Sequence, residues 1–152
     1  LDADGDEDAA IAGLLHDALE DQGGSRAANE IERQFGREVL GVVRECSDWS
    51  GDGEKPAWLS RKLAFVNSVA AMSSRALLVA AADKLHNVRD LHEDYLELGD
   101  ALWERFNGGR DGTLWYYRAT AAALREAGAP RRLVDPLQCA IDELSQLTET
   151  AE

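Results

Sequence analysis

Apolar positions recur at helical spacing in stretches separated by glycine, proline and short polar runs. The first helix is expected from near Asp6, where acids in the opening turn suit the helix dipole. Small residues at 9, 10, 12 and 13 permit close packing before a stop at Gly23-Gly24. Ser25 is a candidate N-cap for a second helix through Ile31 and Phe35. Gly36 is a candidate kink before Val39, Leu40, Val42 and Val43 carry its apolar face onward. Residues 47–56 read as a loop, with Gly51-Asp52-Gly53 opposing regular structure. From about Ala57, Leu59, Leu63, Val66 and Ala70 are spaced four, three and four, which makes an amphipathic stripe. Ala76 to Ala82 is apolar on every side, as in a helix buried in a core. After Gly99 the helical pattern resumes with Leu102, Trp103 and Phe106, and 107–112 reads as a loop. Thr113 opens a helix to about Gly128, and Pro130 breaks the chain. The last helix runs from about Arg131 to Leu147, with Leu133, Leu137, Ile141 and Leu144 as its buried stripe, and the charged tail frays. No segment reads as a strand, a repeat or a low-complexity linker. The pattern predicts an all-α, single-domain helical bundle of seven or eight helices.

Composition narrows the function classes. The 152 residues suit one domain with a substantial core. A net charge of −13 argues against a nucleic-acid polymer, because no basic stripe is present to hold a phosphate backbone. A small phosphorylated ligand remains compatible, since it needs only a metal and a few local cations. Cys46 and Cys139 lie far apart in no metal or redox motif, which suggests free thiols in a reducing cytoplasm. No apolar run approaches the ~20 residues of a membrane span, and no signal peptide is visible. Leu1 to Asp8 reads as an acidic loop with a turn at Asp4-Gly5. A start at Leu1 in such a segment leads to the expectation that one or more helices precede it.

The chemistry concentrates in two stretches. In Leu14-Leu15-His16-Asp17-Ala18-Leu19-Glu20-Asp21, His16 to Glu20 and Asp17 to Asp21 are i,i+4 steps if the segment is helical. At about 100° per residue the four side chains then share roughly 140° of one face, with Ile11, Leu15, Ala18 and Leu19 opposite. Three acids and an imidazole so close together call for a positive partner, and a divalent metal is the simplest one. In the second stretch Asp83 ends the apolar run, and Asp83, His86, Asn87 and Asp90 share a face about 100° wide. A carboxylate there is costly to bury unless it is paired or binds a metal. The alternative is an ion pair at the helix surface. Lys84 is a poor candidate for it, because adjacent residues on a helix point apart. His86 reads more simply as a satisfied core or surface histidine than as a ligand. The Arg61-Lys62 pair is open between a solvated face and a ligand-binding role. The glycines at 108, 109 and 112 do not make a P-loop, since no Gly-Lys-Ser/Thr follows and no strand precedes.

With its second stretch written Ala82-Asp83-Lys84-Leu85-His86-Asn87-Val88-Arg89-Asp90-Leu91, the chain resembles the HD-domain phosphohydrolases. Within them it is most similar to the hydrolase domain of RelA/SpoT homologues and to the Mesh-type small alarmone hydrolases. Phe35-Gly36-Arg37-Glu38-Val39 and Leu63 to Asn67 fall in the expected order between the motifs. The resemblance covers most of Ala9 to Leu91 and, more loosely, the remainder. It implies an HD-type hydrolase domain over 1–152 with one divalent ion, usually manganese. His16, Asp17 and Asp83 would be metal ligands, and Glu20 and Asp21 would orient and activate a water. Asn87 would hold the ribose or phosphate, and Arg61, Lys62 and Lys84 would be the cations for the polyphosphate. Tyr116 would contact the nucleotide. The implied reaction removes pyrophosphate from the 3′ position of guanosine tetra- or pentaphosphate in the cytoplasm. Homo-oligomerisation is left open.

The chain departs from the family in one place. The family carries a further metal-ligand His upstream of the His-Asp pair, and no His precedes His16. Three readings stand beside one another. One is the alarmone hydrolase. The second is a phosphohydrolase of another nucleotide, such as an adenine alarmone, a deoxynucleotide or NADPH. The third is a non-catalytic nucleotide-binding regulatory module, which the missing His favours and the intact Glu20-Asp21 pair opposes.

Overall fold

A computed structural model describes residues 6–49 and 52–149. The elements are α1 (Glu7–Leu15), α2 (Ala18–Asp21), α3 (Gly24–Cys46), α4 (Trp58–Ser68), a 3-10 turn (Val69–Ala71), α5 (Ser74–Leu98), a 3-10 segment (Gly99–Arg105), α6 (Gly109–Glu126) and α7 (Arg131–Glu149). Among the described residues there is no strand, and six of the seven α-helices exceed a single turn. The all-α expectation holds, with the helix count at its lower end. No helix among the described residues is long and apolar enough to cross a membrane. The acidic loop expected over 1–8 lies mostly outside the described residues, as do Gly51 and the end of the charged tail.

α5 is the axis of the molecule and packs against α1, α3, α6 and α7. Ala76, Leu77, Val79, Ala80, Ala81, Leu85, Val88, Leu91 and Tyr95 are buried along it. Leu78 and Ala82 are not buried, so the run that looked apolar on every side has one open side. α1 starts as expected: Asp6 caps it by accepting the Ala9 N–H at 2.9 Å. Ala9 and Ala12, which carry almost no side chain, let it settle closely against α3 and α5. Gly23 takes the cap position of α3, and Ser25 instead binds Asp52 from within the first turn. Gly36 kinks α3 at φ 88°, a conformation that favours glycine.

α4 departs from the pattern. Leu59 and Leu63 are 52% and 42% exposed, so the Leu59-Leu63-Val66-Ala70 stripe faces largely outward. The buried side carries Arg61 and Phe65, continuing to Val69. Two cations side by side outweigh the apolar stripe because a buried acid is waiting for them, as described below. α6 begins at Gly109 rather than Thr113, within the expected 107–112 loop. The Trp58 ring lies so close to Gly108 that a Cβ there would stand 2.6 Å from it. In α7, Leu137, Ile141 and Leu144 are buried and Leu133 packs at the core's edge.

Candidate active site

The side chains at the end of α1 and in the third turn of α5 meet. His16 follows α1, and its Nδ1–H donates to the Gly13 carbonyl at 2.7 Å. That bond fixes the ring and leaves Nε2 3.1 Å from Asp17 Oδ2 and 2.9 Å from Asp83 Oδ1. Residues separated by more than sixty positions thus meet at one nitrogen. The Asn87 side-chain amide donates to Asp83 Oδ1 at 2.9 Å. The Ser47 hydroxyl lies 3.2 Å from the His16 carbonyl and 2.8 Å from that of Val43, which ties the end of α1 to the end of α3.

Lys84 corrects the sequence expectation. Its Nζ lies 2.6 Å from Asp83 Oδ2. Neighbouring Cβ atoms on a helix do diverge, but the four-carbon lysine stem is long enough to fold back. The ammonium is held there over the faces of Phe65 (5.1 Å) and Tyr116 (5.8 Å). The carboxylates of Asp17 and Asp83 push the His16 imidazole up to about 10, so metal-free His16 holds a proton at neutral pH. Burial alone would raise Asp83, but His16 and Lys84 outweigh it and hold the carboxyl far below the usual range.

These groups border a cavity of about 600 Å³. Ala10, Leu14, Leu78 and Ala82 supply its apolar wall, with Leu14 87% exposed. His16, Asp17, Asp83, His86, Asn87 and Asp90 supply the polar wall. His86 Nδ1–H donates to Asp90 Oδ2 at 2.9 Å, one helical turn away.

Glu20 and Asp21 are placed differently. Residues 16–21 do not form one helix: α1 ends at Leu15 and α2 spans only Ala18–Asp21. The expected common face of four polar side chains is therefore broken. Asp21 is exposed, and Glu20 does not line the cavity. Glu20 instead accepts the Asp48 backbone N–H at 3.2 Å, and Lys55 lies 3.7 Å from its other oxygen.

Asp48 is the residue that sequence reasoning missed. Its side chain is 4% exposed and takes Arg61 at 2.6 Å and Lys62 at 2.7 Å. Arg61 also donates to the Pro56 carbonyl. The Arg61-Lys62 pair is thus neither solvated nor on the cavity wall. Lys62 sits 4.6 Å above the ring of Tyr116, and Tyr116 is buried. The one available signal was an acid two residues beyond the buried end of an apolar helix, in a segment read only as loop. Burial raises the Glu20 carboxyl, and the Asp48 charge raises it further. Burial acts on Asp48 in the same sense, but Lys62 and Arg61 override it and hold Asp48 below its ordinary value.

The donor set suits a hard divalent ion in type: one imidazole nitrogen and two carboxylates, with the second imidazole nitrogen anchored on a carbonyl as metal-binding histidines require. Neighbouring ligands of an octahedral ion with ~2.1 Å bonds lie roughly 3.0 Å apart, close to the separations seen at His16 Nε2. Among the described residues no three His, Cys, Asp or Glu side chains stand as a finished cage. The proton on His16 links the carboxylates, and an ion would replace it.

Comparison with known proteins agrees with this geometry. An HD-domain family model matches residues 1–114. The Drosophila melanogaster protein named guanosine-3′,5′-bis(diphosphate) 3′-pyrophosphohydrolase MESH1 is 42% identical over 57% of this chain and 45% of its own length. The Homo sapiens protein of that name is 41% identical over 53% of this chain and 42% of its own. The matched region thus spans less than half of these relatives. The crystal structure of lmo0812 from Listeria monocytogenes superposes with a TM-score of 0.70 at 26% identity, covering 99% of this chain and 91% of that one. With the family model matching 114 of 152 residues, and with His16, Asp17 and Asp83 brought together by the fold, the chain belongs to the HD-domain family.

Proposed function

We propose that this chain is a metal-dependent hydrolase domain that removes pyrophosphate from the 3′ position of guanosine tetra- or pentaphosphate. The observation that carries the reading is His16 Nε2 within 3.1 Å of both Asp17 and Asp83 at the wall of a nucleotide-sized cavity. The names of the MESH1 relatives support the choice of substrate.

His16, Asp17 and Asp83 would hold a divalent ion, manganese by family resemblance. A bound ion acidifies water and offsets phosphate charge. Lys84 and Asn87 keep the Asp83 carboxylate in one orientation. Asn87, on the cavity wall, would give its second amide hydrogen to a ribose or phosphate oxygen. In this reading Glu20, one turn beyond Asp17, swings from the Asp48 N–H toward the cavity to accept the proton as water attacks phosphorus, with Asp21 beside it. The bond that breaks joins phosphorus to the ribose 3′ oxygen: that oxygen leaves with the electron pair and takes up a proton to become the 3′-hydroxyl, while the water oxygen stays on the released pyrophosphate. Arg61, Lys62 and Tyr116 act behind the site, where the Asp48 pairing and the Lys62–Tyr116 contact keep α4 and α6 in register.

The test is a manganese-supplemented assay of the full-length protein against a panel of guanine and adenine nucleotides. Pyrophosphate release from guanosine tetraphosphate is expected. Replacing Glu20 and Asp21 by Gln and Asn should slow it by about 10²–10⁴ while metal affinity stays within a few fold. Hydrolysis at the wild-type rate by that double variant removes the catalytic assignment. Absence of hydrolysis across the panel in the wild type leaves the regulatory-module reading.

A further inference from the structure

α4 has its polarity reversed for a surface helix. Charged residues make up 30% of the chain, yet between Lys55 and Arg75 only Arg61 and Lys62 carry a charge. Both turn inward to Asp48. A surface helix ordinarily keeps its charges in water and its apolar stripe on the core. Here Leu59 and Leu63 are 52% and 42% exposed, Ala70 is exposed, and Val66 is only partly buried. The flanking Ser60, Ala64 and Asn67 are exposed as well, and none is charged. The outward side of α4 is thus an uncharged surface on a chain of net charge −13. The spacing of the four apolar residues says what fits it. Steps of four, three and four are those of successive d, a, d and a positions, the narrow seam by which one helix packs lengthwise on another.

We propose that the outward face of α4 is the contact surface for a second copy of this chain, joined as an antiparallel α4–α4 pair. With a two-fold axis passing between Leu63 and Val66, Leu59 of one copy lies opposite Ala70 of the other, and Leu63 opposite Val66. Every layer then sets a larger side chain against a smaller one, so the seam is complementary to itself, as a two-fold contact requires. Charge favours the same partner. Two chains of net charge −13 repel on approach, and at this face they meet without bringing acid against acid. A basic partner would gain nothing from an uncharged face. The size of the face sets the strength. An eleven-residue helix is about 16 Å long and, with side chains, roughly 10 Å across. Such a contact falls well below the roughly 800 Å² per partner of a standard interface, so the dimer is weak and depends on concentration. It is also independent of the chemistry at the cavity, whose wall takes no residue from α4.

Sedimentation equilibrium of the full-length protein at micromolar to millimolar concentrations is the test. A reversible monomer–dimer equilibrium is expected. It should tighten severalfold as salt rises from about 50 to about 500 mM, because screening removes the repulsion and leaves the apolar contact. Leu63→Asp should weaken it at least about tenfold, since a carboxylate would be buried in the seam without a partner. Leu96→Asp, at a 63%-exposed leucine of α5, adds the same charge and should leave the equilibrium unchanged. Leu63→Asp and Leu63→Lys, each monomeric alone, should associate when mixed, because the two substituted positions fall in adjacent layers across the axis. Ala70→Asp, at an exposed alanine, repeats the test should Leu63→Asp fail to fold. A wild type that stays monomeric throughout overturns the proposal and leaves the face to another segment of the full-length protein. A dimer that persists in the Leu63→Asp or Ala70→Asp variant lies on another surface and overturns it too. So does a dimer that salt loosens, because charge would then be holding it.

Discussion

Asp83 and Asp48 are two buried carboxylates with nearly the same arrangement, each held by two nitrogen cations within 3 Å. Asp83 has the His16 imidazolium and Lys84; Asp48 has Arg61 and Lys62. The difference lies in what the partners can give up. An imidazole can surrender its proton and become a metal ligand, whereas a guanidinium cannot and a paired lysine does so only at high pH. Asp83 also opens onto a cavity about 600 Å³ in size through His16 and Asn87. Asp48 faces Glu20, through both its backbone N–H and its carboxylate charge, and not the cavity. A convertible ion pair beside a cavity makes a site, and a permanent one beneath it makes a frame.

The comparison is broken most directly by removing the permanent pair. Asp48→Leu leaves Arg61 and Lys62 buried without their acid and should cost about 3–5 kcal/mol, lowering the thermal midpoint by roughly 6–20 °C. Its acid dependence follows from sign. Asp48 is held below its ordinary 3.8, so its contribution is fully present above that value and is lost as pH falls through the folded pKa. The stability gap between the wild type and Asp48→Asn in urea titrations should therefore narrow as pH falls below 3.8. A constant gap would mean that the ion pairs contribute little.

The second contrast is metal affinity. Asp83→Asn should weaken manganese binding at least about tenfold by titration calorimetry, because a neutral amide is a poor ligand for a hard cation. Asp48→Asn should leave it almost unchanged. Equal losses in both variants would erase the distinction between site and frame.

The smallest effect sharpens it. Cys46 is the buried last residue of α3, two residues before Asp48 and 3.7 Å from the Ala76 carbonyl of α5. Burial pushes its thiol up to about 12, whereas Cys139 is exposed and both cysteines are free. Thiol labelling at pH 8 should modify Cys139 rapidly and Cys46 slowly. Asp48→Asn should speed Cys46 labelling more than Asp83→Asn does, since α3's end is anchored through the Asp48 side.

Helical periodicity alone settled the class of the fold, the start of α1, the end of α3, the start of α7 and the kink at Gly36. Each follows from local causes: a capping acid, a glycine's φ, or apolar residues three and four apart. The shared face of Asp83, His86, Asn87 and Asp90 was legible for the same reason, because it lies within one unbroken helix. The spacing of His16 and Glu20 misled because α1 stops at Leu15, and a two-residue turn sends Glu20 to Asp48 instead of to the cavity. The Leu59-Leu63-Val66-Ala70 stripe misled because pattern counts apolar residues without asking what a charge can find. Arg61 and Lys62 found a buried carboxylate supplied by another segment, on the same inward side of α4 as Phe65. Lys84 folded back onto Asp83 because two aromatic rings from α4 and α6 hold its ammonium. In each case local geometry was readable from the chain, while the choice of partner for a buried charge belonged to residues far away in sequence. Only the tertiary structure brings those residues within Coulombic reach.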